Sequence, residues 1–520
     1  MLMTGIAMMP AKYLACISCL FMAAALSSLS SSVLAKEKHH HHKRHHHARH
    51  VTQAKQGHPV RGEQALSAEI LAAIAESGFQ TPVGIEIRSM KYGDTLYSKN
   101  PGRLFTPAST LKILTAEAAL IFLGPDYHFT TRALTNAKSV NDGVLAGDLW
   151  LIHSGDPSLT WYDLNDLMVA LKAQQIRSIQ GNVYIDNTAY DQENIGPGWL
   201  WKDRQYCYAA PINASIVNHN CVTFSIVPAR KERQRALVIE SPRYFYADIR
   251  NTVVTRSSHA KSCHVTVTKG PDNAIDLEGC LPKGHYARTA SVVVADISKN
   301  NEAMMKQLLR MAKIRFGGTI QTAVLPAPSS GLHPLVVHAS RPLHELIGDM
   351  LKKSDNVIAG SLFKKLGQLR SGQPGSWKNG SLAVSDILQK KAGVKTDQMA
   401  VLDGSGLSPD NKITPEQMMA VLDFAFHHDS SSYEFISSLP VAGMDGTLKH
   451  RLQQMSGRIR AKTGTMPDAG VSSLAGYAVS RDHEPLAFVI IVNGNRGNVW
   501  KYRVMEDRIA MALANFSRKG

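Results

Sequence analysis

Residues 105–125 read FTPASTLKILTAEAALIFLGP, a pattern that predicts a helix in the protein core. Apolar side chains fill the run from Leu111 to Leu123, and Gly124-Pro125 ends it. Ser109 and Lys112 lie about one helical turn apart at its start, so their side chains share a face. The helix dipole there favours negative charge on the hydroxyl, and a desolvated lysine is neutral enough to accept its proton. The stretch therefore predicts an activated serine on a core helix.

The S-x-x-K pattern carries little weight by itself, because about two matches are expected by chance in 520 residues. A second match, from Ser258 to Lys261, lies in a polar region without a helical pattern. Two further motifs follow in order, Ser354-Asp355-Asn356 and Lys462-Thr463-Gly464. Each has only about a one in ten chance of occurring at random. Together the three form the motif set of penicillin-binding proteins and class A β-lactamases.

The residues of the first two motifs suit acyl transfer to a serine. Ser109 is the candidate nucleophile, and Lys112 is the candidate base. The Ser354 hydroxyl can pass a proton to the leaving amine, and the Asn356 amide can bond the amide of a peptide substrate. These four residues are therefore the predicted catalytic set, and the chemistry calls for no cofactor and no metal.

The third motif lies on a predicted strand, where Lys462 and Gly464 point to one face. The ammonium can hold a substrate carboxylate, and the glycine lets a peptide backbone lie close to the strand edge. Thr463 can donate a hydrogen bond to the same carboxylate. The backbone N–H groups of Ser109 and Thr465 are the candidate oxyanion hole.

With these motifs the chain resembles the S13 family of serine peptidases, the class C penicillin-binding proteins of the penicillin-binding protein 4 type, from about residue 65 onward. Other family-like stretches are Leu123-Gly124-Pro125-Asp126, Gly155-Asp156-Pro157, Gly196-Pro197-Gly198-Trp199, Asp403-Gly404-Ser405-Gly406-Leu407-Ser408 and Asp445-Gly446-Thr447-Leu448. The resemblance implies an α+β fold: a β-lactamase/transpeptidase-like helix–sheet–helix domain with inserted β-rich domains. It also implies D-alanyl-D-alanine carboxypeptidase and endopeptidase activity on peptidoglycan stem peptides, with β-lactam antibiotics as covalent inhibitors.

The resemblance adds two residues to the candidate site. Asp203 ends a Trp-x-Trp-x-Asp stretch, and its counterparts in the family help to bind the free amine of the stem-peptide side chain. Tyr208 occupies an aromatic position beside it. Pro409 and Pro467 depart from the family pattern, and these departures concern side-chain preference rather than catalysis.

The N-terminal part of the chain differs from the rest in composition. Residues 1–35 combine one lysine, an apolar run and a small-residue end, as in a secretory signal peptide, which predicts a periplasmic protein. Residues 36–64 are rich in His, Lys and Arg and predict a flexible linker, with weak, non-catalytic metal binding as the alternative. No later stretch is apolar enough for a stable membrane span.

The remaining sequence predicts a catalytic domain at 65–130 and 305–520, interrupted by β-rich insertion at 131–304. Helical patterns occur at 65–75, 301–316, 342–351, 358–369, 382–392 and 498–516. A hairpin is predicted at 83–97, and strand patterns occur at 149–152, 182–185, 223–227, 291–294, 456–462, 472–479 and 486–492.

Four cysteines follow the signal peptide, and their even number in an exported chain predicts disulfides. Three pairings are open; we favour the local one, Cys207 with Cys221 and Cys263 with Cys280, which closes short loops. The cysteines have no C-x-x-C spacing, so metal binding is disfavoured.

Charge and motif content exclude or rank the other function classes. The net charge is +16, but the exported basic stretch lacks interleaved aromatics, so nucleic-acid binding is not predicted. A serine β-lactamase and a non-catalytic peptidoglycan-binding protein of the same fold are the alternatives. The sequence leaves open whether the chain forms a dimer.

Overall fold

The computed structural model describes residues 61–520 except 79, 242–247, 261, 271–272, 326–330 and 428–429. The predicted signal peptide at 1–35 lies outside the described residues, as does the predicted linker up to residue 60. The linker prediction ended too late, at residue 64, because the first helix already begins at Arg61. Gly62 lies against the backbone of Ser517 and Arg518, and Leu66 and Ile70 are buried, so this helix is anchored from its first turn.

The helices of the described residues confirm the main helical patterns and add α3, α8 and α9, which sequence analysis did not identify. The α-helices are α1 Arg61–Glu76, α2 Lys112–Leu123, α3 Trp161–Ala173, α4 Ile297–Met311, α5 Leu343–Lys353, α6 Asn356–Ser371, α7 Trp377–Ala392, α8 Pro415–His427, α9 Ser432–Ser438 and α10 Val499–Asn515. Within this part of the chain, no helix has the length and apolar character needed to cross a bilayer.

The strands form five sheets in the described residues. In chain order they are β1 Val83–Ser89, β2 Thr95–Lys99, β3 Thr130–Thr135, β4 Val140–Asn141, β5 Val144–Leu145, β6 Leu149–His153, β7 Ser178–Ile179, β8 Val183–Asp186, β9 Cys221–Val227, β10 Leu237–Ser241, β11 Ile249–Asn251, β12 Val254–Arg256, β13 Val265–Lys269, β14 Ile275–Pro282, β15 Arg288–Val293, β16 Arg315–Phe316, β17 Ile320–Thr322, β18 His333–Ala339, β19 Ile459–Met466, β20 Val471–Val479 and β21 Pro485–Asn493.

The main domain is built on an antiparallel sheet in the order β19-β20-β21-β1-β2. Alternate residues of β21 serve opposite faces: Phe488 and Ile490 pack in the core that contains α1 and α10, whereas Val489 and Ile491 pack in the core that contains α2. Both faces are therefore covered by helices, which explains why β21 is apolar almost throughout.

Helix α2 lies inside the second of these cores, surrounded by α5, α6, α7 and α8. Every residue from Lys112 to Leu120 is buried, including the one lysine of the helix. The all-round apolar pattern at 111–123 is the signature of such a helix. The structure thus confirms the core helix. The turn that precedes α2 contacts β19 and β20 of the sheet.

The insertion has two hydrophobic cores, and the parts built around them are called here the first and second insert domains; the first continues beyond residue 304. Its five-stranded sheet has the order β17-β8-β6-β3-β18, and β18 pairs with β3. Leu308 of α4 packs in the same core as Leu164 of α3, so a boundary at 304 would cut helix α4. The insertion therefore continues to about Ala339, and it is less purely β-rich than predicted because α3 and α4 cover its sheet.

The second insert domain consists of two small sheets, β10-β9-β15 and β11-β14-β12 with β13 on β14. The structure contains the two local disulfides: Cys207–Cys221, with a Cα–Cα distance of 5.9 Å, and Cys263–Cys280, with 5.0 Å. The first joins the segment before β9 to the start of that strand, and the second lies beside β13 and β14. In the chain-entropy model each short loop contributes about 3 kcal/mol.

The central position of β21 leads to a stability prediction. Ile490 is fully buried, so Ile490→Ala should lower the free energy of unfolding by about 2–5 kcal/mol through lost burial and a residual cavity. Leu382→Ala on α7 is the matched control, because Leu382 is 64% exposed and its truncation should change stability by less than about 0.5 kcal/mol. Urea unfolding of both variants checks this; equal losses would contradict the assignment of the core.

Candidate active site

The S-x-x-K tetrad spans the junction of a 3₁₀ turn and α2. The turn covers Ala108–Leu111, and α2 follows at Lys112. Ala108 has a φ of 49°, a left-handed conformation that is uncommon for a residue with a side chain. Such local strain persists only where the surroundings enforce it, and it concentrates at functional sites. Here it turns the chain so that the half-buried Ser109 begins the helix beside Lys112.

The Lys112 ammonium is completely buried and has three hydrogen-bond acceptors around it. Its Nζ lies 3.1 Å from Ser109 Oγ, 2.6 Å from Asn356 Oδ1 and 2.7 Å from the Ser405 carbonyl oxygen. Burial lowers the pKa of Lys112 to about 7, against the opposing effect of the nearby carboxylates of Asp403 and Asp355. A substantial neutral fraction of this amine is therefore present near neutral pH, within reach of the serine hydroxyl.

The Ser405 carbonyl is held in place by a loop organised around the buried carboxylate of Asp403. Asp403 Oδ1 accepts hydrogen bonds from the backbone N–H groups of Ser405, at 3.0 Å, and Gly406, at 2.7 Å. Its Oδ2 accepts one from Trp199 Nε1 of the insertion at 2.7 Å. Gly406 has a φ of 76°, and a Cβ there would collide with the Ala108 carbonyl. The family-like stretch at 403–408 therefore positions Lys112, a role that sequence analysis did not assign.

The second motif lies where α5 ends and α6 begins. Ser354 is the C-cap of α5 with a φ of 59°, and its Oγ accepts a hydrogen bond from Lys462 Nζ at 2.9 Å. Asp355 caps α6 by accepting from the N–H groups of Val357 and Ile358, both at 2.9 Å. The two caps fix Ser354 and Asn356 on the same side as Lys112.

Lys462 is as deeply buried as Lys112, and its ammonium also donates to the Thr463 carbonyl at 2.8 Å. Burial lowers the pKa of Lys462 well below its ordinary value, and the charge of Lys112 lowers it further. The ammonium has three N–H donors, and the bonds to Ser354 and to the Thr463 carbonyl use two of them. That it holds a substrate carboxylate with the third stays a prediction.

Gly464 faces the turn that carries the serine rather than open space. A Cβ at this position would collide with the Ser473 hydroxyl and lie 2.7 Å from the Pro107 carbonyl oxygen and 3.1 Å from the Ala108 Cβ. Glycine is thus required for β19 to pack against the 3₁₀ turn. Thr465, one of the two predicted oxyanion-hole residues, follows Gly464 on β19 and so lies near the turn that carries Ser109.

The two threonines of the third motif have partners that the motif alone did not indicate. The Thr463 hydroxyl donates to Thr447 Oγ1 at 2.8 Å, in another family-like stretch. The guanidinium of Arg503 on α10 donates to Thr465 Oγ1 at 2.9 Å, and the Arg503 side chain is exposed. Sequence analysis missed Arg503, because it lies 38 positions from Thr465 and belongs to no motif.

The insertion contributes the residues that the resemblance singled out. The Tyr208 carbonyl accepts a hydrogen bond from Asn356 Nδ2 at 2.7 Å, and the Tyr208 hydroxyl donates to Asp203 Oδ1 at 2.9 Å. One of the two N–H donors of the amide that is expected to bond a substrate is thus bonded within the protein, and the substrate role stays a prediction. Lys202 forms an ion pair with Asp468, just after β19. These contacts place Asp203 and Tyr208 beside the catalytic motifs.

A cavity of ≈ 440 Å³ opens on the insert side of the second motif. Ser354, Asn356, Tyr208 and His219 line it. The alternative S-x-x-K match is elsewhere: Ser258 lies in an exposed turn of the second insert domain, and Lys261 is outside the described residues.

Comparison with known proteins gave one family model and several relatives. The D-Ala-D-Ala carboxypeptidase 3 (S13) family model matches residues 66–515. The D-alanyl-D-alanine carboxypeptidase DacB of Haemophilus influenzae is 31% identical over 79% of this chain and 85% of its own length. A D-alanyl-D-alanine carboxypeptidase of Actinomadura sp. strain R39 is also 31% identical, over 84% of this chain and 81% of its own.

The fold also matches solved structures. The crystal structure of penicillin binding protein 4 (dacB) from Haemophilus influenzae superposes with a TM-score of 0.75 at 28% identity, covering 86% of this chain and 99% of that one. A structure of that protein complexed with a novel β-lactam gives a TM-score of 0.71 at 27% identity, over 86% of this chain and all of the other.

The burial of Lys112 predicts an unusual titration. In protein labelled with ¹³C at lysine Cε, the Lys112 signal should titrate with a midpoint near pH 7, protonated below it and neutral above it, whereas ordinary lysines titrate near ~10.4. Burial also lowers the pKa of Lys365 to about 7, so loss of the signal in Lys112→Arg is needed for assignment. A Lys112 midpoint above about pH 9 would contradict the predicted effect of burial.

Proposed function

Because the chain belongs to the S13 family of D-Ala-D-Ala carboxypeptidases, we propose that it is a periplasmic serine DD-peptidase that cleaves peptidoglycan stem peptides through an acyl-enzyme. The signal peptide predicted at 1–35 would export it. The observation that carries this proposal is the 3.1 Å contact between Lys112 Nζ and Ser109 Oγ, with the Ser354–Lys462 pair beside it. These contacts support the roles of Ser109 as nucleophile, Lys112 as base and Ser354 as relay.

Acylation begins with Ser109. Its Oγ attacks the carbonyl carbon of the penultimate D-alanine, and neutral Lys112 accepts the hydroxyl proton. The lowered pKa of Lys112 supports this role, since a fully protonated amine cannot accept a proton. The backbone N–H groups of Ser109 and Thr465 would stabilise the oxyanion, which forms between the 3₁₀ turn and β19.

Collapse of the tetrahedral intermediate requires a proton on the leaving amine. Ser354 is suited to deliver it, because its hydroxyl can give its proton to the amine and take back the one that Lys112 removed from Ser109, while its Oγ accepts from Lys462. Lys112 is then neutral again. The 2.6 Å bond from Lys112 to Asn356 connects the base to the same motif. Release of D-alanine leaves an ester on Ser109, which water hydrolyses with Lys112 acting again as the base.

Recognition of the terminal carboxylate is assigned to the outer side of β19. The Thr465 hydroxyl and the exposed Arg503 guanidinium form a pair at 2.9 Å. An arginine beside a hydroxyl suits a carboxylate, because the guanidinium donates several hydrogen bonds in a fixed plane. Lys462, whose third N–H donor is not used by Ser354 or the Thr463 carbonyl, and Thr463 would support the same carboxylate.

The free amine of the stem-peptide side chain is assigned to Asp203. Its carboxylate accepts from the Tyr208 hydroxyl, which keeps it oriented beside Asn356 while leaving its other oxygen available. An amine of a diaminopimelate residue would pair with this carboxylate. The same site would then accept D-Ala-D-Ala termini and cross-links formed between D-alanine and diaminopimelate.

The first test uses penicillin and mass spectrometry. Incubation should add one penicilloyl group to a peptide that contains Ser109, because the β-lactam ring mimics the D-Ala-D-Ala bond. Ser109→Ala should form no adduct, whereas Ser258→Ala in the second S-x-x-K match should label normally. An adduct that persists in Ser109→Ala would refute the assignment. Slow release of the penicilloyl group distinguishes a peptidase from a β-lactamase. Release of D-alanine from pentapeptide distinguishes it from a non-catalytic binding protein.

The second test concerns Asp203. Asp203→Asn should raise KM about tenfold for a stem peptide with a free side-chain amine and leave KM unchanged when that amine is acetylated, because a charged hydrogen bond is lost. Asp248→Asn is the matched control, since Asp248 is an exposed, ion-paired aspartate of the second insert domain. Steady-state D-alanine release gives both values. Equal changes in KM for both substrates would show that Asp203 does not bind the amine.

A further inference from the structure

A cavity of ≈ 1000 Å³ lies outside the active site, between the second insert domain and the segment 187–213. Its walls include Trp201, Arg204, Asn213 and Lys269. The volume lies at the upper end of the ~300–1,000 Å³ that is typical of small-molecule sites. None of the chemistry proposed for Ser109 uses these residues.

Three polar atoms in the walls have no hydrogen-bond partner among the described residues: Asn194 Oδ1, Arg204 Nε and Asn213 Oδ1. Asn213 is only 2% exposed, so its carbonyl oxygen is withdrawn from bulk solvent. Buried polar atoms without partners are unfavourable, and native proteins rarely keep them without a reason. All three atoms are buried in the wall and do not face the open cavity, so the groups that an entering ligand would meet are those of Trp201, Arg204 and Lys269.

The charge of the cavity is positive. Lys269 is half-buried, and burial lowers its pKa, while the Arg204 guanidinium lies 5.0 Å from the ring centroid of Trp201. The carboxylate in the wall, Asp296, is already engaged: it accepts from the Lys299 N–H at 2.9 Å and lies 3.6 Å from Lys299 Nζ. Lys202 is paired with Asp468, so Arg204 and Lys269 are the cations left for a ligand.

These requirements select a class of ligand. A simple anion such as phosphate would pair with the two cations but would leave the exposed Trp201 ring without a partner. Hydroxyl and acetamido groups of an amino sugar both donate and accept, and the 82%-exposed ring of Trp201 offers a flat apolar surface to a sugar face. A carboxylate on the same sugar would meet Arg204 and Lys269. Amino sugars that carry carboxylates form the glycan of peptidoglycan.

The cavity shares one segment of chain with the active site. Arg204 and Gln205 line the cavity, whereas Asp203 and Tyr208 in the same segment contact each other and Asn356. Resting on the proposed function, we propose that this cavity binds the carboxylate-bearing amino-sugar glycan of peptidoglycan and so holds the polymer to which the cleaved stem peptide is attached. The enzyme would then distinguish glycan-linked from free stem peptides.

Calorimetry with glycan strands stripped of peptide tests the site directly, since such strands lack D-Ala-D-Ala and expose the lactyl carboxylates. The full mature chain should bind them saturably. Lys269→Glu should weaken binding at least about tenfold, whereas Lys283→Glu, an exposed lysine outside the cavity in the same insert domain, should stay within about twofold. Arg204→Gln gives a second variant should Lys269→Glu fold poorly, with the same expected loss.

Three results would overturn the proposal: no binding by the native chain, equal losses in the cavity and control variants, or equal affinity for uncharged chito-oligosaccharides.

Steady-state kinetics supply an independent readout. Lys269→Glu should raise KM for glycan-linked pentapeptide and leave kcat and KM for free pentapeptide unchanged; an unchanged KM for both would also count against the site. Absence of D-alanine release from any substrate would instead refute the proposed function, and calorimetry would still decide the glycan site.

Discussion

The burial of two ammonium groups within one small space is the constraint on which the rest of the structure depends. Lys112 and Lys462 are both fully buried, and a buried ammonium without acceptors is prohibitively unfavourable. The acceptors come from separate parts of the chain: the Ser405 carbonyl, Asn356 Oδ1 and Ser354 Oγ. The hydrogen bonds of the two lysines therefore form only where four parts of the chain meet: α2, β19, the α5–α6 junction and the loop after α7. That place is the proposed catalytic centre.

The insertion contributes hydrogen bonds to this arrangement. Trp199 donates to the Asp403 carboxylate, which orders the loop that holds Lys112, and the Tyr208 carbonyl occupies the Asn356 amide. The Cys207–Cys221 disulfide ties the same segment to the second insert domain. The proposed glycan cavity and the proposed catalytic centre thus share one short segment, because Arg204 lines the cavity and Tyr208 bonds to Asn356.

Sequence patterns predicted the helices and strands that are determined by their own residues. The all-round apolar run of α2, the alternating strands β1 and β2, and the last helix α10 are each recognisable from their own residues. Helix α3 was missed among turn-rich strand patterns, although its Thr160 and Asp163 form a capping box. The end of the insertion was misplaced because β18 joins β3 across nearly 200 residues, a pairing that no local pattern specifies.

By itself, the sequence determined the chemistry: a serine and a lysine at helical spacing, the two further motifs in order, and four cysteines after residue 35 that could pair. Tertiary structure alone decided which groups meet. It joined Lys462 to Ser354, joined the Asn356 amide to the Tyr208 carbonyl, and brought Arg503 to Thr465. The physical reason is that desolvation and hydrogen-bond satisfaction depend on neighbours in space; the Lys112 and Ser405 groups that bond at 2.7 Å are 293 positions apart in the chain.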